Sequence, residues 1–415
     1  MIDFILAKQN GRAISGIDRI FGINAKANEA KARGEDVVNA TVGALLDEDG
    51  RLAILSSVHS AAQAIQKEDQ FKYAPIGGIE RYKEAVKNIA LGSEIDAYVE
   101  AVSTPGGTGV IRNTISNYSA ISDTVLTSDW HWAPYNTIAG EIYRKVDTFE
   151  LFNKEGGFNI DSFLEKAKRL IIKQGSLVII LNTPSHNPTG YSIKMDEWKQ
   201  IVAGLNEISK IAESIALLVD IAYIDFSSLK EKSRDFIPLL LELNKNVLPI
   251  IAFSASKTFT GYGMRTGATL CITKDKTIAQ EFKQVNEYSS RGSWSNSPAL
   301  GQMIISKIYE DKDLMKAVSD ERDEYVDMLL KRGEVFTEAM KNEGLEMIPF
   351  DSGFFISIPC KDPDAVGKEL QKSGIFAVPL AKGLRISVAS ISEELCKTIP
   401  AKVKAEYSPK LNPQT

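Results

Sequence analysis

Between residues 142 and 290 the chain alternates short apolar runs with segments of helical periodicity, and this alternation restricts the fold more than any other feature. SLVIILNTP (176–184), IALLVD (215–220), VLPIIAF (247–253) and GATLCIT (267–273) are uninterrupted, short and rich in β-branched residues, as strands buried on both faces are. Helical patterns separate them at 194–213, 234–245 and 275–290, upstream a strand near 142–152 precedes a helix at 160–173, and downstream a long charged helix is expected over 306–342. The expectation is an α/β fold with a mainly parallel sheet covered by helices. Such sheets place their ligands at the carboxyl ends of the strands, so the residues that follow each run carry the functional question.

The segment FSASKTFTGYGMR (253–265) follows one of these runs. A lysine there, Lys257, is by itself as readily a solvated loop residue; at a buried strand end it can lose part of its hydration, which would lower its pKa and make the amine nucleophilic. Ser254 and Arg265 add a hydroxyl and a fixed cation, the pair a phosphate requires. In STPGGTGVIRN (103–113), Gly106, Gly107 and Thr108 open a helix whose free N–H groups form an anion site, although many βα turns carry glycines without binding phosphate. DTVLTSDWHWAPY (123–135) brings two tryptophans to a strand end, where a flat ligand ring could stack; Trp130 ranks first and Trp132 second. Asp220 ends IALLVD and Tyr223 follows three residues on; a lone Asp there could also cap a helix. Asn187 lies in HNPTG, whose Asn-Pro by itself is only a turn starter. Gly43, after VVNATV, serves either its backbone or close approach to a ligand. Arg385 interrupts the apolar strand KGLRISVAS (382–390), which is costly unless an anion pairs with it.

Asn187, Asp220, Lys257 and Arg265, each near the end of a successive strand, together resemble the class I (fold type I) aminotransferases that depend on pyridoxal phosphate (PLP), nearest to the aspartate and aromatic enzymes. The likeness runs from Asn39 to Arg385. It implies a large PLP-binding domain over 52–305 and a smaller α+β domain combining the arm and segment 1–51 with 306–415. It further implies that Lys257 holds PLP as an aldimine and shuttles the proton. Asp220 would keep the pyridine nitrogen protonated, and Asn187 and Tyr223 would bond the phenolic oxygen. Gly106, Gly107, Thr108, Ser254 and Arg265 would hold the phosphate, and Arg385 the substrate α-carboxylate; Gly43, Trp130 and Asn187 would border the substrate. In KYAPIGGIERYKEAVKNIALG (72–92), Tyr73 matches a tyrosine that reaches the phosphate of a neighbouring subunit. In EYSSRGSWSNSPALG (287–301), Arg291, Ser295 and Asn296 match the R-x-x-x-S-N of dicarboxylate-binding members, with Gly292, Ser293 and Trp294 replacing the usual Pro-Met-Tyr. A homodimer with shared sites follows from the resemblance, as does amino transfer from aspartate or an aromatic amino acid to a 2-oxo acid, 2-oxoglutarate foremost. The family's histidine soon after the tryptophan is replaced by Ala133, with His131 the nearest substitute.

Two alternatives share parts of this pattern. A PLP-dependent lyase or decarboxylase would use the same lysine motif. A serine acylase would read Ser254 to Lys257 as S-x-x-K, but its S-D-N and K-T-G strings are absent from the 415 residues. A net charge of −5 and a pI near 5.6 argue against a nucleic-acid partner. Cys271, Cys360 and Cys396 are too few and too scattered for a disulfide framework or a metal site, and neither a signal peptide nor a bilayer span is expected, which points to the cytoplasm.

Overall fold

The computed structural model describes Leu6 and residues 18–406. Among these residues lie twelve strands: β1 (Val38–Asn39), β2 (Tyr98–Thr104), β3 (Thr124–Ser128), β4 (Lys145–Phe149), β5 (Ser176–Asn182), β6 (Ser214–Asp220), β7 (Val247–Ser254), β8 (Gly267–Thr273), β9 (Phe355–Pro359), β10 (Ile375–Phe376), β11 (Val378–Pro379) and β12 (Gly383–Ser387). Seven form one sheet in the order β2-β8-β7-β6-β5-β3-β4. Strands β3 to β7 are mutually parallel, and β8 runs against both β7 and β2.

The central strands are continuously apolar because each feeds two cores. Leu177, Ile179 and Leu181 of β5, Leu217 and Val219 of β6, and Ile251 and Phe253 of β7 pack on one face, with Tyr82, Phe163, Trp198 and Ile305 of the covering helices. Val178, Ile180, Ala216, Leu218, Ile250 and Ala252 pack on the other, under Ile111, Tyr135 and Phe282. Each fully buried side chain of this kind stabilises by about 1.5–3 kcal/mol, so the strand ends are held firmly. The register sets Asn182 beside Asp220 and Asp220 beside Ala252, at the carboxyl ends of β5, β6 and β7.

A second, antiparallel sheet, β11-β12-β9, and the parallel pair β1-β10 lie with the helices Lys312–Asn342, Pro363–Lys372 and Glu393–Glu406. Val38 and Ala40 share a core with Phe336, Ile356, Leu370, Ile386 and Val403, so the N-terminal strand packs with the C-terminal third of the chain. The wholly buried Arg332 ties this unit together, donating through Nε to Glu48 Oε1 (2.9 Å) and through Nη1 to the carbonyls of Leu46 (3.0 Å) and Ala389 (3.2 Å).

Two helices differ from expectation. The single helix expected over 306–342 is two, Ala299–Glu310 and Lys312–Asn342. Asp311 takes an extended conformation, and its carboxylate accepts from the amides of Asp313 (3.1 Å) and Leu314 (3.0 Å), capping a new helix. The helix expected over 234–245 is instead the short 3-10 turns Lys230–Arg234 and Ile237–Glu242. Pro238 confines that second turn to a fresh start, Leu243 is already extended, and Asn206 binds Asn244 ahead of β7.

Candidate active site

Where β5, β6 and β7 end, a cavity of about 270 Å³ opens between the large sheet and residues of β9 and β12. Its walls include Gly43, Gly107, Thr108, Asn187, Asp220, Tyr223, Ser254, Lys257, Arg265 and Arg385, ten of the positions singled out from sequence. Lys257 lies three residues beyond β7, in the short helix Ala255–Thr258. Its amine donates to the Gly43 carbonyl and lies over the rings of Tyr262 (4.5 Å), Phe354 (5.4 Å) and Tyr223 (5.7 Å). Burial first, then the charges of Arg385 and Arg265, bring its pKa down to about 7, so much of the amine is neutral and nucleophilic near neutrality.

Asp220, buried at the end of β6, accepts from the Tyr135 hydroxyl at Oδ2 (2.8 Å) and from the Ala222 amide at Oδ1 (3.2 Å). Burial raises its pKa while these bonds oppose the rise. Asn182 fixes the next turn, donating to the Asp220 carbonyl (2.7 Å) and accepting from the Asn187 amide (2.7 Å). Asn187 in turn donates to the Tyr223 hydroxyl (3.3 Å) and accepts from Arg385 Nη1 (3.3 Å). Because Tyr223 accepts that bond, its own proton remains free to donate into the cavity. Arg385 is only 3% exposed, donates to the Thr41 carbonyl (2.8 Å) and lies 4.2 Å over the Phe355 ring. Its Nε has no partner, and burial lowers its pKa to about 10 against the smaller opposing effects of Tyr223 and of Asp18 at the cavity edge, which makes no ion pair with it.

The opposite wall suits an anion. Gly107 and Thr108 begin the helix Gly106–Tyr118, facing Ser254, Ser256 and Arg265. Gly106 has φ +71°, and a Cβ there would stand 2.6 Å from Arg265 Nη2, so the glycine lets the guanidinium reach the helix end. Arg265 itself has φ +49° and is held by bonds from Nη1 to Ser256 Oγ (3.2 Å) and the Tyr262 carbonyl (3.0 Å).

The ranking of the tryptophans is reversed by the geometry. Trp132 is half-buried on the cavity wall, whereas Trp130 is buried in the core on the other face of the sheet. Within a strand two residues spaced by two would share a face, but β3 ends at Ser128 and the backbone beyond it is irregular, so the two rings turn to different sides and only that of Trp132 meets the cavity. His131 does not reach Asp220; its Nδ1 donates to the Ser128 carbonyl (2.8 Å) and its Nε2 accepts from Asn136 Nδ2 (2.7 Å). Tyr73, Arg291 and Ser295 lie outside this cavity and share a separate hollow with Trp294 and Asn296. There Arg291 donates to Ser295 Oγ (2.6 Å) and Asn296 donates to the Ala74 carbonyl (2.7 Å).

Sequence reasoning left out Tyr135, Asn182, Ser256 and Tyr262, and also Asp18, Ile20 and Phe21 at the cavity edge. Ser256 and Tyr262 stand within the FSASKTFTGYGMR string and Asn182 ends a recognised strand, so their positions were the available signal. Tyr135 acts on a residue 85 positions away, which no local pattern reveals.

These residues fit pyridoxal phosphate. The helix end with Ser254 and Arg265 offers a phosphate cradle, Asp220 a buried carboxylate for a ring nitrogen, Trp132 a flat wall and Lys257 a neutral amine for an aldehyde. The S-x-x-K reading fares worse, because the Lys257 amine meets Gly43 and the Ser254 hydroxyl accepts from the Ser256 amide.

Residues 35–402 match the family model for aminotransferase class I and II. A crystal structure of an aminotransferase from Anaerococcus prevotii is 33% identical, with a TM-score of 0.93 over 99% of this chain and 100% of that one. An aspartate aminotransferase of Pseudomonas aeruginosa is 26% identical over 394 residues, 92% of this chain and 95% of the relative. An aromatic-amino-acid aminotransferase from Burkholderia pseudomallei, solved covalently bound to pyridoxal phosphate, shares the fold at 23% identity, with a TM-score of 0.78 over 97% of this chain and 100% of its own. With the fold and cavity described above, the chain belongs to the class I and II aminotransferases and is a pyridoxal-phosphate-dependent enzyme of fold type I.

Proposed function

We propose that the enzyme moves the amino group of aspartate or an aromatic amino acid to a 2-oxo acid, 2-oxoglutarate foremost. The observation that carries this reading is Arg385, a buried guanidinium that makes no ion pair among the described residues and whose Nε has no partner, facing the same cavity as the Lys257 amine. An α-carboxylate would supply the missing charge through two charge-assisted bonds. Lys257 would hold the cofactor covalently and then carry the proton to and from the substrate Cα, work suited to an amine with a pKa of about 7. When bound, pyridoxal phosphate supplies the sink for the electron pair left on Cα and carries the amino group between the half-reactions. Asp220 would hold a proton at the cofactor's ring nitrogen, and Tyr223 and Asn187 would donate to its phenolic oxygen. Gly106, Gly107, Thr108, Ser254, Ser256 and Arg265 would bind phosphate, and Trp132 would flank the ring. Gly43 and Asn187 would border the substrate.

The enzyme would act as a homodimer in which Tyr73, Arg291 and Ser295 complete the partner's site. Their separate hollow and the 91% exposure of Tyr73, beside Phe71 at 84%, support that reading. Residues 52–305 would form the large domain, with the N-terminal segment joining 306–415 in the small one. The three cysteines are free thiols, which suits a reducing, cytoplasmic setting, and no helix among the described residues is long and apolar enough to cross a membrane.

A panel of amino donors offered with and without 2-oxoglutarate tests the reaction, since keto acid formation must require the acceptor; formation without it would indicate elimination or decarboxylation. Arg291→Ala then tests the dicarboxylate assignment. Loss of a distal guanidinium should lower kcat/KM for aspartate by on the order of 10²-fold, about 3 kcal/mol, and spare aromatic donors. Equal losses for both classes would make Arg291 structural.

A further inference from the structure

We propose that Tyr135 is a positioning residue for this reaction, its hydroxyl holding Asp220 and its ring holding Trp132, so that one side chain sets both the carboxylate and the aromatic wall of the cavity. The inference rests on the reading that Asp220 serves the cofactor's ring nitrogen. Tyr135 is 1% exposed, in the helix Pro134–Glu141 on the sheet face that supports the cavity floor. Its hydroxyl lies 2.8 Å from Asp220 Oδ2. Its ring meets that of Trp132 edge-on at 5.5 Å and 87°, and its amide donates to the Trp132 carbonyl (3.0 Å). Oδ1 of Asp220 already accepts from Ala222, so removing the phenol would leave Oδ2 buried without its donor.

The nearby imidazoles cannot do this work. His131 stacks on Tyr135 at 6.3 Å and 9°, yet both its nitrogens are engaged by Ser128 and Asn136. His186 is buried against Thr189 Oγ1 (2.8 Å). The other titratable group facing the pair is Tyr223, from the turn after β6. Burial keeps the Tyr135 phenol protonated well beyond neutrality, so Asp220 retains its donor throughout the working pH range, which an imidazole in the same place would not ensure.

The experiment compares the parent with Tyr135→Phe, Asp220→Asn, the double variant and Tyr135→His, each full chain being freed of cofactor for the PLP titration and reloaded with it for kinetics. The Phe variant keeps the ring against Trp132 and removes only the hydroxyl. Cofactor dissociation constants, measured by tryptophan fluorescence on titrating PLP, should rise by about tenfold to a hundredfold for Tyr135→Phe, the range for a hydrogen bond to a charged group. In the Asp220→Asn background the same change should add less than about twofold, since the residue acts through Asp220. Tyr135→His should bind PLP and acquire a pH-dependent limb in kcat near the imidazole range, about pH 6.5. Parental affinity in Tyr135→Phe, an undiminished effect in the Asp220→Asn background, or a lower thermal midpoint with unchanged affinity would each overturn the proposal. Parental affinity in Asp220→Asn alone would instead overturn the reading of Asp220 on which it rests.

Discussion

Replacing Arg385 by Leu should separate what the guanidinium does to the fold from what it does for substrate. The side chain is 3% exposed and its pKa falls from 12.5 to about 10, so at neutral pH its buried charge destabilises the ligand-free protein by about 3 kcal/mol. Its bonds to the Thr41 carbonyl and Asn187 Oδ1 offset part of this, at about 1 kcal/mol each. Leucine should therefore leave the ligand-free enzyme as stable as the parent or about 1 kcal/mol more stable. Substrate loses two charge-assisted bonds, each about 1.5–3 kcal/mol, so kcat/KM should fall by about 10²–10⁴-fold for every donor. Arg385→Lys keeps the charge without the fork and should fall between the two. Scanning calorimetry with and without 2-oxoglutarate, beside steady-state kinetics, reads both effects: the acid should raise the parent's thermal midpoint and leave the Leu variant's unchanged. A Leu variant that unfolds, or keeps kcat/KM within tenfold of the parent, would refute the reasoning.

The depressed Lys257 amine predicts a pH effect of definite sign in cofactor-free protein. Its folded pKa, about 7, lies below the unfolded 10.5, so the unfolded chain binds more protons between these values and parental stability rises with pH across that window. The thermal midpoint of Lys257→Met should therefore exceed the parent's most at and below pH 7, with the gap closing toward pH 10.5; a gap independent of pH would contradict the titration. Mixing Lys257→Ala chains with Arg291→Ala chains should restore one working site per heterodimer, and a mixture with no recovered activity would count against shared sites. Trp132→Leu should weaken PLP binding by about tenfold, the scale of a lost aromatic contact, with little change in thermal midpoint. Trp130→Leu should do the reverse, lowering the midpoint through lost core packing; the opposite pattern in a fluorescence titration would return the stacking role to Trp130.

The sheet was legible because its central strands are buried on both faces, which writes an unbroken apolar run into β5, β6 and β7. The same runs located Asp220 and Lys257, since a polar residue at the end of such a strand stands out against its neighbours. Helix boundaries were less legible: the break at Asp311 depends on one carboxylate choosing to cap rather than continue a charged helix. The tryptophans show a different gap. Both fit a flat wall chemically, and only the direction of the chain past β3 decides that Trp132 meets the cavity. Tyr135 was hidden because its significance lies in a contact with Asp220, 85 positions away in sequence, and choosing Trp130 as the flat wall drew attention from the residues after Trp132. For Tyr73, Arg291 and Ser295, their common hollow away from Lys257 adds what sequence spacing lacked, a shared location on the surface.

The most direct measurement is the site of covalent attachment. The yellow enzyme, treated with borohydride to fix the cofactor to its lysine, is digested and its peptides are mapped by mass spectrometry. The label should fall on Lys257 alone, with Lys257→Ala remaining folded and unlabelled. Label on another lysine of the parent enzyme, or none with PLP bound and turnover intact, would contradict the assignment of the cavity at the ends of β5, β6 and β7 as the seat of the chemistry.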